Sequence, residues 1–449
     1  MIRIRLIKPR QIKRSKSLLS FLQNSLLGRI YKRYLKRYAL VRAVVIWIWT
    51  TFLPIALLIY VRFKILQVKI LQFKTLPLIK LSECLPHRRV VFPGQLVKTP
   101  LPDVFPKKKN VVLKPKTEFA FPEIYIATVN NCIVNGASNF LNVEESIICH
   151  DLFRCSHDYT SEELHGRFIV NSRKSLITRT SNMEAQDTIQ EGAVFTDAVS
   201  GNYAHFLTEV LPRIFVFSKE YPNTKITLII DRNLHSNLME ALVLVVGGKV
   251  DIIGLEMGET LLVKSLHVVS TCGYIPFERR PKTNHFKDHS EGIFSPKALQ
   301  LMRDCIKSKI SISMVGAIRP KKIFIKRNSH YRNAKNTKDI EDMLIAEGFF
   351  VIEPEKLSFS EQVNLFSNAE VLVGVTGAAF ASLIFCKPET KIIILISDYK
   401  NMIYGYWQSM ASSVGNKVIY VIGECADTPS QLHSNFQVDL PDLLDAISS

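Results

Sequence analysis

The segment GNYAHFLTEVLPR, residues 201–213, sets His205 and Glu209 four residues apart among apolar neighbours. On a helix, at about 100° per residue, they fall about 40° apart on one face. Asn202 and Arg213 project near the same side, and with Tyr203 they form a candidate cleft wall. A carboxylate beside an imidazole fixes its tautomer and stabilises the imidazolium, which is how a general base is built. Such a pair can also merely orient the chain, and the pattern alone fits both readings. The helix is predicted to begin near Tyr203 and to end or kink at Pro212, which has no N–H to give. Phe206, Leu207, Val210 and Leu211 form its inward side.

Two further stretches could handle anionic oxygen. In FIKRNSHYRNAKN, residues 324–336, a strand runs into Lys326, Arg327, Arg332 and Asn336. The carboxyl end of such a strand is where open α/β sheets bind ligands, and guanidinium groups there grip a diphosphate in bidentate fashion. A solvated basic loop would look the same. In VLVGVTGAAFASLIF, residues 371–385, a strand ends at Thr376, Gly377, Ala378 and Ala379 before a predicted helix. Small residues let phosphate oxygens approach backbone N–H groups at a helix N-terminus, and close helix–strand packing accounts for them equally. The chain has no GxxxxGK[ST] loop, no intact GxGxxG and no Asp-x-Asp. Neither an NTPase nor a classical dinucleotide enzyme is indicated.

These groups must be held by elements that the hydrophobic pattern places. Residues 118–191 alternate in short runs such as EIYIATV and GRFIVN, predicting a small β-rich region. Residues 192–315 carry KITLIID, LHSNLMEALVLVVG and VDIIGL, and residues 316–449 carry KKIFIKR, FFVIEP, EVLVGV and KIIILIS between amphipathic segments. Continuous β-branched strands between helices predict parallel sheets covered on both faces. The expected fold class is α/β, with two Rossmann-type lobes facing a cleft. Pro- and Lys-rich residues 83–117 read as a linker.

Charge divides the chain. Of the 58 Lys and Arg, 18 lie in residues 1–82, which contain no acid, leaving 40 against the 40 Asp and Glu of the remainder. The globular part is formally neutral, which argues against nucleic acid as a partner. Within the basic segment, AVVIWIWTTFLPIALLIYV, residues 43–61, runs nineteen residues without a charge. That predicts a membrane anchor, and the basic flanks suit anionic head groups. Pro54 and the two basic flanks also permit a bent or interfacial anchor. The eight cysteines show no dense framework, and CHDLFRCSH, residues 149–157, matches no zinc spacing, so no metal is expected.

Taken in order, NYAHFLTEVLPR, IFIKRNSHYRNAKN, SFSEQVNLFSNAEVLVGVTGAAFASLIFCKPETKIIIL and GYWQSMASSVG resemble the motifs of glycosyltransferase family 61. Many members have His where this chain has Thr376 and Asn where it has Ser382. The resemblance covers about residues 120–449. It implies a GT-B-like fold and inverting transfer of a hexose or pentose from a nucleotide sugar, with no cofactor and no required metal. It implies His205 and Glu209 as catalytic residues, with Lys326, Arg327, Arg332, Asn336, Thr376, Gly377 and Ala378 at the donor. The expected partners are a nucleotide sugar, a glycan or lipid-linked acceptor of a surface or capsular polysaccharide, and the membrane. The expected place is a bacterial cytoplasmic membrane with the catalytic part in the cytoplasm, a Golgi type II protein being the alternative. A catalytically silent scaffold that binds glycan or nucleotide is the rival reading.

Overall fold

A computed structural model describes residues 3–6, 75–84, 88–107, 118–164, 167–179, 184–248, 250–278, 292–313, 319–329, 332–398, 404–425 and 434–449. The apolar run at 43–61 lies outside them, and among the described residues no helix is long and apolar enough to cross a membrane. The fold is mixed α/β, built on two large sheets.

In the second sheet the parallel strands stand in the order Phe350–Ile352, Lys322–Ile325, Val371–Val375, Lys391–Ser397 and Lys417–Cys425. Numbered along the chain this is 2-1-3-4-5, one of the common doubly wound orders. Strand direction of travel reverses between Lys322–Ile325 and Val371–Val375, which pair in parallel through Phe324 and Val373. That reversal places a crevice beyond their carboxyl ends, where Arg327 and Gly377 follow.

The first sheet contains Asp251–Leu255, Thr227–Asp231, Asp187–Val194 and Thr260–Val269 as a parallel run, in chain order 3-2-1-4. The strand Arg3–Leu6 adds to its outer edge beside Asp251–Leu255. The expected β-rich region does not stand apart in a sheet of its own. Its long strand Ile124–Asn135 runs antiparallel to Thr260–Val269, from Ile126 opposite Val269 to Asn135 opposite Thr260, so both regions share one sheet. Nor is the 83–117 stretch free of structure: Arg88–Phe92 pairs with Ile124–Asn135, and Asp103–Phe105 pairs with Lys417–Cys425 of the second sheet. Apolar residues at Phe92 and Phe105 supply the buried contacts that hold it down.

Between the sheets lies a layer of helices: Leu211–Glu220, Ser236–Val246, Pro296–Ser313 and Phe359–Asn368. One continuous buried cluster reaches from Ile230 and Ile252 of the first sheet through Ile214, Leu242, Met302 and Phe366 to Ile394 of the second. Polar bonds reinforce this join. The Glu240 carboxylate accepts from the N–H groups of Phe359 and Ser360 at 2.9 and 3.0 Å, so a side chain from one helix caps the next.

Candidate active site

The His205 helix leaves the carboxyl end of the strand Asp187–Val194 through eight residues, Phe195–Asn202. Asn202 caps it, its Oδ1 accepting from Ala204 N–H at 3.0 Å. The helix does not stop at Pro212. A π-helical turn, Phe206–Val210, intervenes, with the Leu211 N–H reaching back five residues to the Phe206 carbonyl. The next α-helical segment then begins at Leu211 and runs to Glu220, so Pro212 follows directly on the π-turn.

On this turn His205 Nδ1 lies 3.0 Å from Glu209 Oε1. Burial opposes the charged imidazolium, but the adjacent Glu209 carboxylate outweighs it and raises the His205 pKa above 6.5. Burial likewise pushes the Glu209 carboxyl up, only partly countered by His205. The pair thus holds a proton more tightly than two separate groups would. Arg213 braces it from behind, its Nε donating to the Glu209 carbonyl at 2.9 Å while Nη2 stands 3.7 Å from Asp197 Oδ2. The Phe277 ring stacks on His205 at 5.9 Å between centroids and 17° between planes.

Tyr203 serves another end. Its hydroxyl donates to Gln362 Oε1 at 3.1 Å and lies 2.9 Å from Ser382 Oγ, pinning the start of this helix to the second α/β unit.

Beyond the second sheet, Arg327 lies against the backbone of Gly377. A Cβ at residue 377 would fall 2.0 Å from Arg327 Nη1. Gly377 has an extended backbone with φ 171°, so it is space and not conformation that calls for glycine. Burial and the neighbouring Arg332 bring the Arg327 pKa down to about 10, as expected of two guanidinium groups facing one space. Arg332 adopts φ 55°, a left-handed backbone, and its buried Nε has no hydrogen-bond partner among the described residues. A side chain held in that conformation with an unspent donor suits a site awaiting an anion.

The remaining expected donor residues are otherwise engaged. Lys326 is ion-paired with Glu341 at 2.9 Å. Asn336 donates to the Val438 carbonyl and accepts from its N–H, at 2.8 and 3.2 Å. Buried Thr376 accepts from Trp407 Nε1 at 3.0 Å. Half-buried Ala378 opens the segment Ala378–Phe385, a 3-10 helix and not the expected α-helix, closed by tight bonds such as Phe380 N–H to the Gly377 carbonyl at 2.9 Å.

Tyr406 stands on the helix Gly405–Ser413. Burial raises its hydroxyl pKa, the Glu209 carboxylate raises it further and the Arg332 guanidinium lowers it. One phenol therefore feels the carboxylate of the His–Glu pair and the cation of the guanidinium pair. Its ring is set edge-on against Trp407 and Phe294, at 4.4 and 6.2 Å.

Residues 203–393 match the Glycosyltransferase 61 family model. The match supports that family, and with it a glycosyltransferase. No curated protein matches the chain. The matched region begins at Tyr203 and contains His205, Glu209, Arg327, Arg332 and Gly377, while Tyr406 and Asp197 lie outside it. Reasoning from sequence did not single out Tyr406, Asp197 or Phe277. For Tyr406 a signal existed in GYWQSMASSVG, but nothing local to an aromatic pair says which ring faces a site. The four buried cysteines Cys132, Cys149, Cys272 and Cys386 are pushed up to about 12 by burial, which leaves them unreactive thiols. Among the described residues no cluster of His, Cys, Asp and Glu could hold a metal ion.

Proposed function

We propose that this protein is an inverting glycosyltransferase of GT-B-like arrangement, moving a hexose or pentose from a nucleotide sugar to a glycan or lipid-linked acceptor. The observation that carries this reading is the buried His205–Glu209 pair, 3.0 Å apart, in the same matched stretch as Arg327, which lies against the Gly377 backbone. A base and a diphosphate grip on either side of one reacting carbon are what a single displacement needs.

Glu209 occupies His205 Nδ1, so Nε2 is the nitrogen left to take a proton from the acceptor hydroxyl. As that oxygen attacks the anomeric carbon, the bond to the diphosphate breaks on the far side, and Arg327 and Arg332 take up the charge released. Two guanidinium groups supply the positive charge, so no metal or other cofactor is invoked. Glu209 orients the imidazole and stabilises its charged form. The exchanged assignment, with Glu209 as base, uses the same geometry.

The uncharged run at residues 43–61 and its basic flanks support attachment to a membrane. A surface or capsular polysaccharide is the proposed product, and the bacterial cytoplasmic face the proposed location, because activated sugars are made there. Protease accessibility of residues 83–449 in sealed vesicles tests the location.

The activity is tested with radiolabelled nucleotide sugars and the full-length protein. His205→Ala is expected to cut transfer and donor hydrolysis by about 10²-fold or more while leaving nucleotide affinity intact. A variant that keeps its rate within a few-fold of wild type would remove His205 from the mechanism. Binding of nucleotide sugar with no turnover by the wild-type protein would favour a silent scaffold.

A further inference from the structure

The first sheet has its own reversal of strand order, and a cavity lies at it. Asp187–Val194 has Thr227–Asp231 on one side and Thr260–Val269 on the other, both parallel to it. Asp197 follows the first of these strands and Ser270 the last, and both line a cavity of about 40 Å³, room for about three waters. Its polar lining also includes Asn139, His150, Asp151, Glu209, Arg213 and Tyr274, and its apolar lining includes Leu141 and Val268. Arg327, Arg332 and Gly377 are not among the residues lining it. Whatever it holds is therefore distinct from the diphosphate.

The lining points to the chemistry of that occupant. The buried Nδ1 of His150 has no hydrogen-bond partner among the described residues. The His150 ring is fixed by Tyr274, 4.5 Å away between centroids, and Tyr274 is itself tied to Asp158 Oδ2 at 2.9 Å. Burial, the chief influence, brings His150 down to about 4 against the pull of Asp197, so near neutral pH it is uncharged. Asp197 accepts from Asn139 Nδ2 at 3.2 Å and from the Val199 N–H at 3.1 Å, with Arg213 beyond. An anion entering here would face Asp151, Asp197 and Glu209, and a cation would face Arg213. A hydroxyl group, which both gives and accepts, can satisfy carboxylate, guanidinium and either tautomer of a neutral imidazole. Apolar lining residues such as Leu141 and Val268 suit the C–H groups of a sugar ring.

We propose that this cavity binds the hydroxyl-bearing edge of a neutral sugar unit, held by His150, Asn139 and Asp197 beside Glu209. The proposal rests on the glycosyl-transfer reading above. The unit can be the acceptor's or the donor's, and the experiment separates these sources.

Calorimetric titrations of the full-length protein would use UDP and GDP, their glucosyl, galactosyl and mannosyl derivatives, and the methyl glycosides of the same hexoses. His150→Leu keeps bulk and loses both nitrogens; Asn139→Leu does the same for the amide at a half-buried position and guards against a folding defect in the first. Both are checked by far-UV circular dichroism. An acceptor subsite predicts at least a tenfold loss of methyl glycoside affinity in both variants. A donor subsite predicts that the affinity difference between a sugar nucleotide and its nucleoside diphosphate disappears. In either case UDP and GDP themselves should bind as in wild type. Variants that bind every sugar probe as wild type does, or a wild-type protein that binds nucleoside diphosphate but gains nothing from any sugar, would overturn the cavity assignment and leave the transferase reading standing. Glycoside binding that depends on His150, with no nucleotide binding at all, would do the reverse.

Discussion

Arg327 Nη1 lies where a side chain on residue 377 would begin, 2.0 Å from the position of a Cβ there. The obstruction is the far end of a flexible side chain, so Gly377→Ala should move the guanidinium and spare the fold. Stability should change by less than about 1 kcal/mol, since Gly377 has an extended backbone open to any residue. Affinity for a nucleoside diphosphate should fall about tenfold or more, as expected for loss of a charge-assisted contact. Calorimetry checks this; undiminished affinity would show that Arg327 does not touch the ligand.

The His205–Glu209 pair fixes a pH dependence. Both folded-state pKa values are raised, so the fold binds protons more tightly than the unfolded chain. Stability from the pair is present in full at acid pH and is lost as pH rises through the raised values. Turnover runs the other way, because the base must first lose its proton. The acid limb of kcat/KM is expected with a midpoint above the ordinary imidazole value of 6.5. Glu209→Gln should move that midpoint downward, flatten the stability profile and lower kcat by about 10²-fold or more. A midpoint unmoved in Glu209→Gln would mean that His205 is not the titrating base.

The second α/β unit was legible because its central strands are buried on both faces and read as unbroken runs such as KIIILIS, each followed by its own helical segment. The His–Glu pair was legible because a helical period puts the two residues on one face whether the turn is α or π. What stayed hidden depends on distant partners. Ile124–Asn135 belongs with Thr260–Val269, well over a hundred residues on in the chain, and no local pattern says that two alternating segments so far apart will share a sheet. For Gly377 the sequence suggested room for phosphate oxygens or for packing, whereas the structure shows room for a guanidinium from another strand. Asp197, His150 and Tyr406 sit after strands or on a short helix where local context is silent, and only the fold brings them near Glu209.

Tyr203 and Ser382 hold the two units in register at the site. With Ser382 fully buried, Tyr203→Phe leaves partners short of a bond and should cost about 1–3 kcal/mol. Ser382→Ala removes the other half, and the double variant should lose less than the sum of the single losses by about 0.5–1.5 kcal/mol. Urea unfolding of the four proteins measures this coupling. Strictly additive losses would place the hydroxyl's contribution with Gln362 instead.

A core continuous from one sheet to the other makes separate unfolding of the two units unfavourable, because parting them would expose Leu242, Met302 and Phe366 together. The wild-type protein should therefore lose far-UV circular dichroism and intrinsic fluorescence in one coincident transition. Glu240 adds a cap across the join, accepting from Phe359 and Ser360 at the start of the next helix. Glu240→Ala should lower stability by about 1–2 kcal/mol without splitting the transition, whereas Glu240→Gln, which still offers an oxygen, should lose less. Two resolved transitions in wild type would mean that the shared helical layer does not couple the sheets, and the site would then have to assemble by closure between them.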